Sequence, residues 1–183
     1  KFSKAYDIKY LNRENKLDYP YQTSWGVSTR MMGALIMVHS DDYGLVLPPR
    51  IAPNKVVIIP ISNDLEIMSM ANDYLDKLKK EGIEAYIDDS EKSPGYKFAE
   101  AEVLGIPVRI EIGKRDLENN VITLVRRDTR EKREVFTNTD IVHDVKILLE
   151  DIQRDMYDRA LRRREEMTYT CTDIEDFKDI INN

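Results

Sequence analysis

Apolar positions follow three rhythms along this chain. Residues 55–61 are a nearly unbroken Val and Ile run, which predicts a strand buried on both faces. Leu65, Met68, Ala71, Leu75 and Leu78 then recur at helical spacing and predict one inner stripe. Asn63 or Asp64 should cap that helix, with Glu66 completing a capping box. Gly82 stands where a left-handed residue should stop it. Residues 83–88 predict a second strand, 89–93 a charged loop, and 94–104 a second helix opened by Pro94 and stopped by Gly105. Residues 106–112 read as a third strand and 113–120 as a loop or a single helical turn. Residues 121–127 and 132–136 pair as a hairpin across Asp128, Thr129 and Arg130. A long helix should start at Thr139 or Asp140, with Ile141, Val145, Leu148, Ile152, Met156 and Ala160 as its apolar stripe. The order strand, helix, strand, helix, strand, hairpin predicts a small mixed α/β sandwich, a shape that many functions share.

The flanking segments are less regular. Residues 1–11 alternate enough to predict a strand, 12–17 a turn, and 18–25 a second extended segment. Residues 31–38 are almost uncharged and predict a buried helix, followed by a turn at 40–44. Residues 45–47 are apolar, and Pro48, Pro49 and Pro53 predict a stiff, extended connection. A domain boundary is expected near residue 53. Beyond Leu161 the charge density rises through Arg162, Arg163 and Arg164, as at an exposed helix end or linker. Thr172 or Asp173 should then cap a short helix over 174–181.

Composition narrows the class. With 183 residues, 42% hydrophobic and 34% charged, the chain fits a soluble globular protein with a real core. No apolar run approaches the roughly 20 residues of a membrane helix, and no signal-peptide pattern stands at Lys1. The one cysteine, Cys171, excludes an internal disulfide and fits a reducing compartment. His39 and His143 have no Cys or His nearby, so no zinc site is expected. The net charge of −6 does not advertise nucleic-acid binding. Its distribution is uneven: eight basic residues against five acids lie between Arg109 and Arg133. That local excess could face phosphate or form an ordinary solvated edge; Arg126 and Arg127 are the candidates for phosphate contact.

One run carries candidate chemistry. Ser24, Gly26, Ser28 and Thr29 would let a backbone approach a ligand closely. Arg30 then offers a planar, permanently charged fork suited to phosphate. The competing reading is an arginine that leads into a core helix and is satisfied by a nearby carboxylate. Trp25 is open in the same way, between a ligand pocket and a core position.

Five segments, at 2–8, 23–30, 41–50, 88–98 and 105–117, resemble in content and order the prolyl-tRNA synthetase family of class II aminoacyl-tRNA synthetases, archaeal/eukaryotic-like type. Among them are Thr23-Ser24-Trp25-Gly26-Val27-Ser28-Thr29-Arg30, Leu45-Val46-Leu47-Pro48-Pro49-Arg50 and Gly105-Ile106-Pro107-Val108-Arg109-Ile110-Glu111-Ile112-Gly113. The resemblance implies the C-terminal piece of an antiparallel-sheet catalytic domain over 1–52. A five-stranded mixed α/β anticodon-binding domain would follow over 53–138, then a long helix and the start of a C-terminal domain over 139–183. It implies a cytoplasmic, homodimeric ligase that joins L-proline to tRNA(Pro) with ATP and Mg2+, of which this piece alone would be inactive. Arg30 would be the catalytic arginine on the ATP γ-phosphate, and Ser28 would touch the nucleotide. Ser24, Trp25 and Gly26 would line the proline site. The family must read two guanines. Phe98 would stack a base, Glu102 would accept from guanine N1 and N2 hydrogens, and Arg115 would reach a base edge or phosphate. Phe98 and Glu102 share a helix face at i, i+4; on residues alone they could equally be a core aromatic and an exposed acid. Arg115 departs from the lysine common in the family. A C-terminal cysteine zinc site occurs in some members, and Cys171 alone cannot supply one. The alternative is a non-catalytic tRNA-binding accessory module that keeps the fold for another partner.

Overall fold

The computed structural model describes residues 2–182. The chain forms two compact units, one up to Ala34 and one from Leu35 onward.

The first unit is small. Its N-terminal segment is a short helix, α1 (Phe2–Ala5), and not the strand that the alternation predicts. The amides of Tyr6 and Ile8 close that turn on the carbonyls of Phe2 and Ser3, at 2.9 and 2.8 Å. Asp7, at φ 53°, then ends it. Extended backbone begins only at β1 (Tyr10–Leu11), which pairs antiparallel with β2 (Leu17–Asp18). The expected turn lies between them. Asn12 Oδ1 accepts from the amides of Glu14 and Lys16, at 2.9 and 3.0 Å, and Asn15 takes φ 58°. Helix α2 (Arg30–His39) starts here and runs into the second unit. It is helical as expected but not buried. None of its residues is buried, and Met37 is 83% exposed.

In the second unit a turn at 41–44 leads into residues 45–47. The amides of Leu45 and Leu47 bond the carbonyls of Val103 and Gly105, at 3.1 and 3.3 Å. Two glycines permit this approach: a Cβ on Gly44 (φ 137°) would sit 2.5 Å from the Cα of Val103, and one on Gly105 (φ 71°) 2.7 Å from the carbonyl carbon of Leu45. The proline stretch turns where an extended connection was expected. Ile51 and Ala52 both donate to the carbonyl of Pro48, because Pro49 presets φ for the second position of a turn.

The α/β pattern follows: β3 (Val56–Pro60), α3 (Leu65–Lys80), β4 (Ala85–Ile87), α4 (Pro94–Leu104), β5 (Val108–Ile112), α5 (Lys114–Glu118), β6 (Val121–Arg126), β7 (Lys132–Phe136), α6 (Ile141–Glu166) and α7 (Ile174–Asn182). The sheet order is β4-β3-β5-β6-β7. Strand β3 runs parallel to β4 and β5, and the β5–β6–β7 pairs are antiparallel. This is the mixed five-stranded α/β sheet that the pattern predicts. One face carries Val56, Ile58, Val108, Ile110, Ile112, Ile122, Leu124 and Val135 against α3 and α6. The other carries Val57 and Ile59 against Ala101, Ile106 and Phe98 beside α4.

Helix α3 buries Ile67, Ala71, Tyr74 and Leu78, while Leu65 is 90% exposed. The inner stripe is thus rotated from the expected one, to the set whose 4-3-4 spacing tracks 3.6 residues per turn. Asp64 sits at its N-cap without a side-chain cap bond and accepts instead from Ser62 Oγ at 2.9 Å, so no capping box forms. Helix α6 buries the expected stripe from Ile141 to Met156, with Leu149 added and Ala160 only half-buried, and Asp140 caps it through Val142 N and His143 N. Asp173 caps α7.

The packing sets a scale for substitutions. Ile110→Ala, at a fully buried position, should cost roughly 2–5 kcal/mol of unfolding free energy. Asp140→Ala should cost about 1 kcal/mol through the lost cap. Urea denaturation followed by circular dichroism checks both values.

Candidate nucleic-acid interface

Strand β5 alternates. Val108, Ile110 and Ile112 enter the main core, so Arg109 and Glu111 must point to the opposite face, beneath α4. There they form a compact polar cluster. Arg109 Nε donates to Glu111 Oε1 at 2.9 Å, and Lys132 Nζ on β7 donates to Glu111 Oε2 at 3.2 Å. Arg109 Nη1 reaches the Phe98 carbonyl and Glu102 Oε1, both at 3.4 Å. Its guanidinium carbon lies 4.6 Å from the centroid of the Phe98 ring, within cation–π range. The space enclosed by Ala101, Glu102, Ile106, Arg109 and Val125 is about 10 Å³, too tight for more than one water.

Beyond this cluster the same sheet face opens. The register places Lys132, Glu134 and Phe136 opposite Val125, Thr123 and Val121. Lys132, Glu134 and Phe136 are exposed, and Thr123 and Val121 are half-buried. The result is a shallow platform with an aromatic at one end, carboxylates in its floor and α4 as its wall. Such a surface can take an unstacked base between an aromatic and a carboxylate acceptor.

The structure brings Phe98 and Glu102 together at this wall, and both are half-buried. Arg115 is exposed on α5, after the C-terminal end of β5, and is not part of the cluster. Of the eight basic residues between Arg109 and Arg133, five are paired with carboxylates. Arg126 holds Asp128 and Asp155, and its proton is bound more tightly than usual, first by Asp128. Arg127 is buried, donates to both oxygens of Asp41 at 2.8 and 2.6 Å, and donates through Nε to the Glu102 carbonyl. Arg130 stacks on Tyr43 and also reaches Asp41. Arg126 and Arg127, expected as phosphate contacts, are therefore internal ties. Among the described residues, Lys114, Arg115 and Arg133 have no carboxylate partner.

Sequence reasoning missed Arg109, Glu111 and Lys132. The available signal was an Arg and a Glu at alternate positions inside a strand otherwise made of Val and Ile.

The other predicted residues lie in the first unit. Ser24, Trp25, Gly26 and Ser28 sit in a stretch without regular secondary structure and are exposed. Trp25 is 92% exposed, so it is not a core residue of this unit. Ser28 and Thr29 accept from the amides of Met31 and Met32, at 3.0 Å each, and so form the first turn of α2. That places Arg30 at its N-terminus, with no carboxylate partner among the described residues.

Residues 55–142 match the family described as "Anticodon binding domain". The chain is 51% identical over 180 residues to a proline–tRNA ligase of Chlorobium chlorochromatii, covering 97% of this chain and 37% of that protein. It is 49% identical over 183 residues to one from Lachnoclostridium phytofermentans, covering 100% of this chain and 38% of that protein. It is also similar to the crystal structure of a prolyl-tRNA synthetase from Cryptosporidium parvum complexed with L-proline and AMP. The TM-score there is 0.89 at 34% identity, over 99% of this chain and 40% of that one. The chain thus spans under two fifths of the length of the curated relatives it matches.

The Asp41–Arg127 tie makes a prediction about acid stability. Hydrogen bonding from Arg127, aided by the Tyr43 amide and Arg130, holds the Asp41 carboxyl well below the usual carboxylate range. A carboxyl lowered on folding adds stability above its unfolded value, and that stability fades as pH falls through the lowered folded value. Wild-type unfolding free energy should therefore fall below about pH 4. Asp41→Asn should be less stable at neutral pH and show a shallower fall, as measured by urea denaturation from pH 2 to 7.

Proposed function

We propose that this chain, whose residues 55–142 match the anticodon-binding-domain family, is the tRNA-reading portion of a proline–tRNA ligase. The observation that carries the reading is the platform beside α4, where Phe98 and Glu102 stand over a floor of paired charges. In this role Phe98 stacks one base of the anticodon, and Glu102 accepts the N1 and N2 hydrogens of a guanine. Arg115, exposed and without a carboxylate partner among the described residues, contacts a base edge or the phosphate chain. The similarity to proline–tRNA ligases along the whole chain supports the assignment.

The first unit fits the remaining part. In this reading Arg30, at the start of α2, holds the γ-phosphate of ATP, and Ser28 touches the nucleotide. Ser24, Trp25 and Gly26 border the proline. Their exposure suits a surface completed by further chain in a longer enzyme, which activates proline with ATP, works as a homodimer and resides in the cytoplasm. Carboxylate attack on the α-phosphate needs positioned reactants and neutralised charge, and Arg30 would supply part of each. Mg2+ would neutralise phosphate charge as well. The described residues hold no group of three or more His, Cys, Asp or Glu side chains able to bind a metal ion. No helix among the described residues is long and apolar enough to cross a membrane.

Two measurements test the reading. The chain should bind tRNA(Pro) with an affinity that falls with salt, and Phe98→Ala should weaken that binding by roughly 1–3 kcal/mol. The same chain should catalyse no proline-dependent exchange of pyrophosphate into ATP. Equal affinity for unrelated tRNAs would overturn the anticodon role, and robust exchange would overturn the division of labour between this piece and the rest of the enzyme.

A further inference from the structure

We propose that Glu111 is a positioning residue for guanine recognition, which it serves by neutralising Arg109 so that the Glu102 carboxylate stays free to accept from a base. This rests on the reading of Glu102 as the guanine acceptor. Glu111 itself is only 5% exposed, within β5. Its two oxygens divide two cations between them: Oε1 takes Arg109 Nε at 2.9 Å, and Oε2 takes Lys132 Nζ at 3.2 Å. Arg109, also buried, makes its shortest hydrogen bond to Glu111 and reaches Glu102 only at 3.4 Å.

That difference in length is the basis of the inference. Arg109 has two carboxylates within reach, one fixed in the sheet and one on α4 at the edge of the platform. A buried guanidinium demands a close anionic partner. While Glu111 meets that demand, Glu102 is held loosely, with its carboxylate able to turn outward. Without the charge of Glu111, Arg109 would draw Glu102 into a short bidentate pair and take up the lone pairs that a guanine needs. Burying an acid between two cations is no route to extra stability, since an apolar group of similar volume commonly serves as well. A task at the site accounts for it better. Lys132 completes the arrangement: it holds the second oxygen of Glu111 and lies 5.9 Å from the centroid of the Phe98 ring, so the floor and the stacking aromatic are tied together.

The test uses this chain with anticodon stem-loops of tRNA(Pro) carrying either guanine or inosine at each guanine position. Inosine keeps N1–H and lacks the 2-amino group, so the affinity ratio reads out Glu102 directly. Glu111→Gln should reduce that ratio about tenfold at one position, toward unity. The salt dependence should stay unchanged, because no phosphate contact is altered. Thermal unfolding reports whether the variant is folded. If it is not, Glu111→Asp carries the same test, with a smaller loss expected because its carboxylate falls one methylene short of one cation. An unchanged ratio in a folded variant overturns the proposal. Glu102→Gln separates the two levels. If it abolishes the ratio while the Glu111 variants keep it, only the positioning role fails. If it leaves the ratio intact, the reading of Glu102 fails and the proposal with it.

Discussion

The register of β5 is the constraint on which this structure depends. Five residues with a side-chain period of two must serve two faces at once. Val108, Ile110 and Ile112 go to the core under α3 and α6, and Arg109 and Glu111 go to the face under α4. A slip of one residue would exchange the two sets, placing two charges in the apolar core and three aliphatic side chains on the platform. Pairing on both sides prevents it. Strand β3 fixes β5 in parallel from Val56↔Val108 to Pro60↔Ile112, and β6 fixes it antiparallel from Val108↔Arg126 to Glu111↔Thr123. The hydrophobic effect thus aims the charged pair as a by-product of packing the core.

The charge of the region is then spent mostly inside the protein. Arg126 and Arg127 leave the hairpin for carboxylates on α6 and in the 41–44 turn, and the Nε of Arg127 also ties down the end of α4 at the Glu102 carbonyl. These ties hold the wall of the platform in place from behind. What remains to attract a polyanion is local, at Lys114, Arg115 and Arg133, within a chain whose net charge is −6. Binding by a few phosphate contacts plus base stacking agrees with that balance better than a broad basic surface would.

Much of this fold can be read in the sequence, for reasons that are local. The Val and Ile run of β3, the left-handed stops at Gly82 and Gly105, and the Asp140 cap each act over a few residues. What could not be read depends on distant partners. Arg127 looked like a phosphate ligand because Asp41, its partner, lies 86 positions away in sequence. Alternation at the N-terminus suggested a strand, but four residues are too few to separate a strand from one helical turn, and backbone bonds from Tyr6 and Ile8 decided for the helix. The α3 stripe was misplaced because Leu65 and Met68 fit a helical period nearly as well as Ile67 and Tyr74 do. At the site, Phe98 and Glu102 were visible as an i, i+4 pair. Their supports, Arg109, Glu111 and Lys132, come from strands brought together only by the hairpin. The roles of Ser24, Trp25, Gly26, Ser28 and Arg30 in the first unit rest on resemblance and on their exposure.

RNA reading at the open sheet face beside α4 is tested most directly by titrating the isotopically labelled chain with a tRNA(Pro) anticodon stem-loop and following side-chain and amide resonances by NMR. The largest changes should fall on Phe98, Glu102, Thr123, Lys132 and Phe136. Changes centred instead on the basic groove between α3 and α6, at Lys77, Lys80, His143 and Lys146, would contradict it.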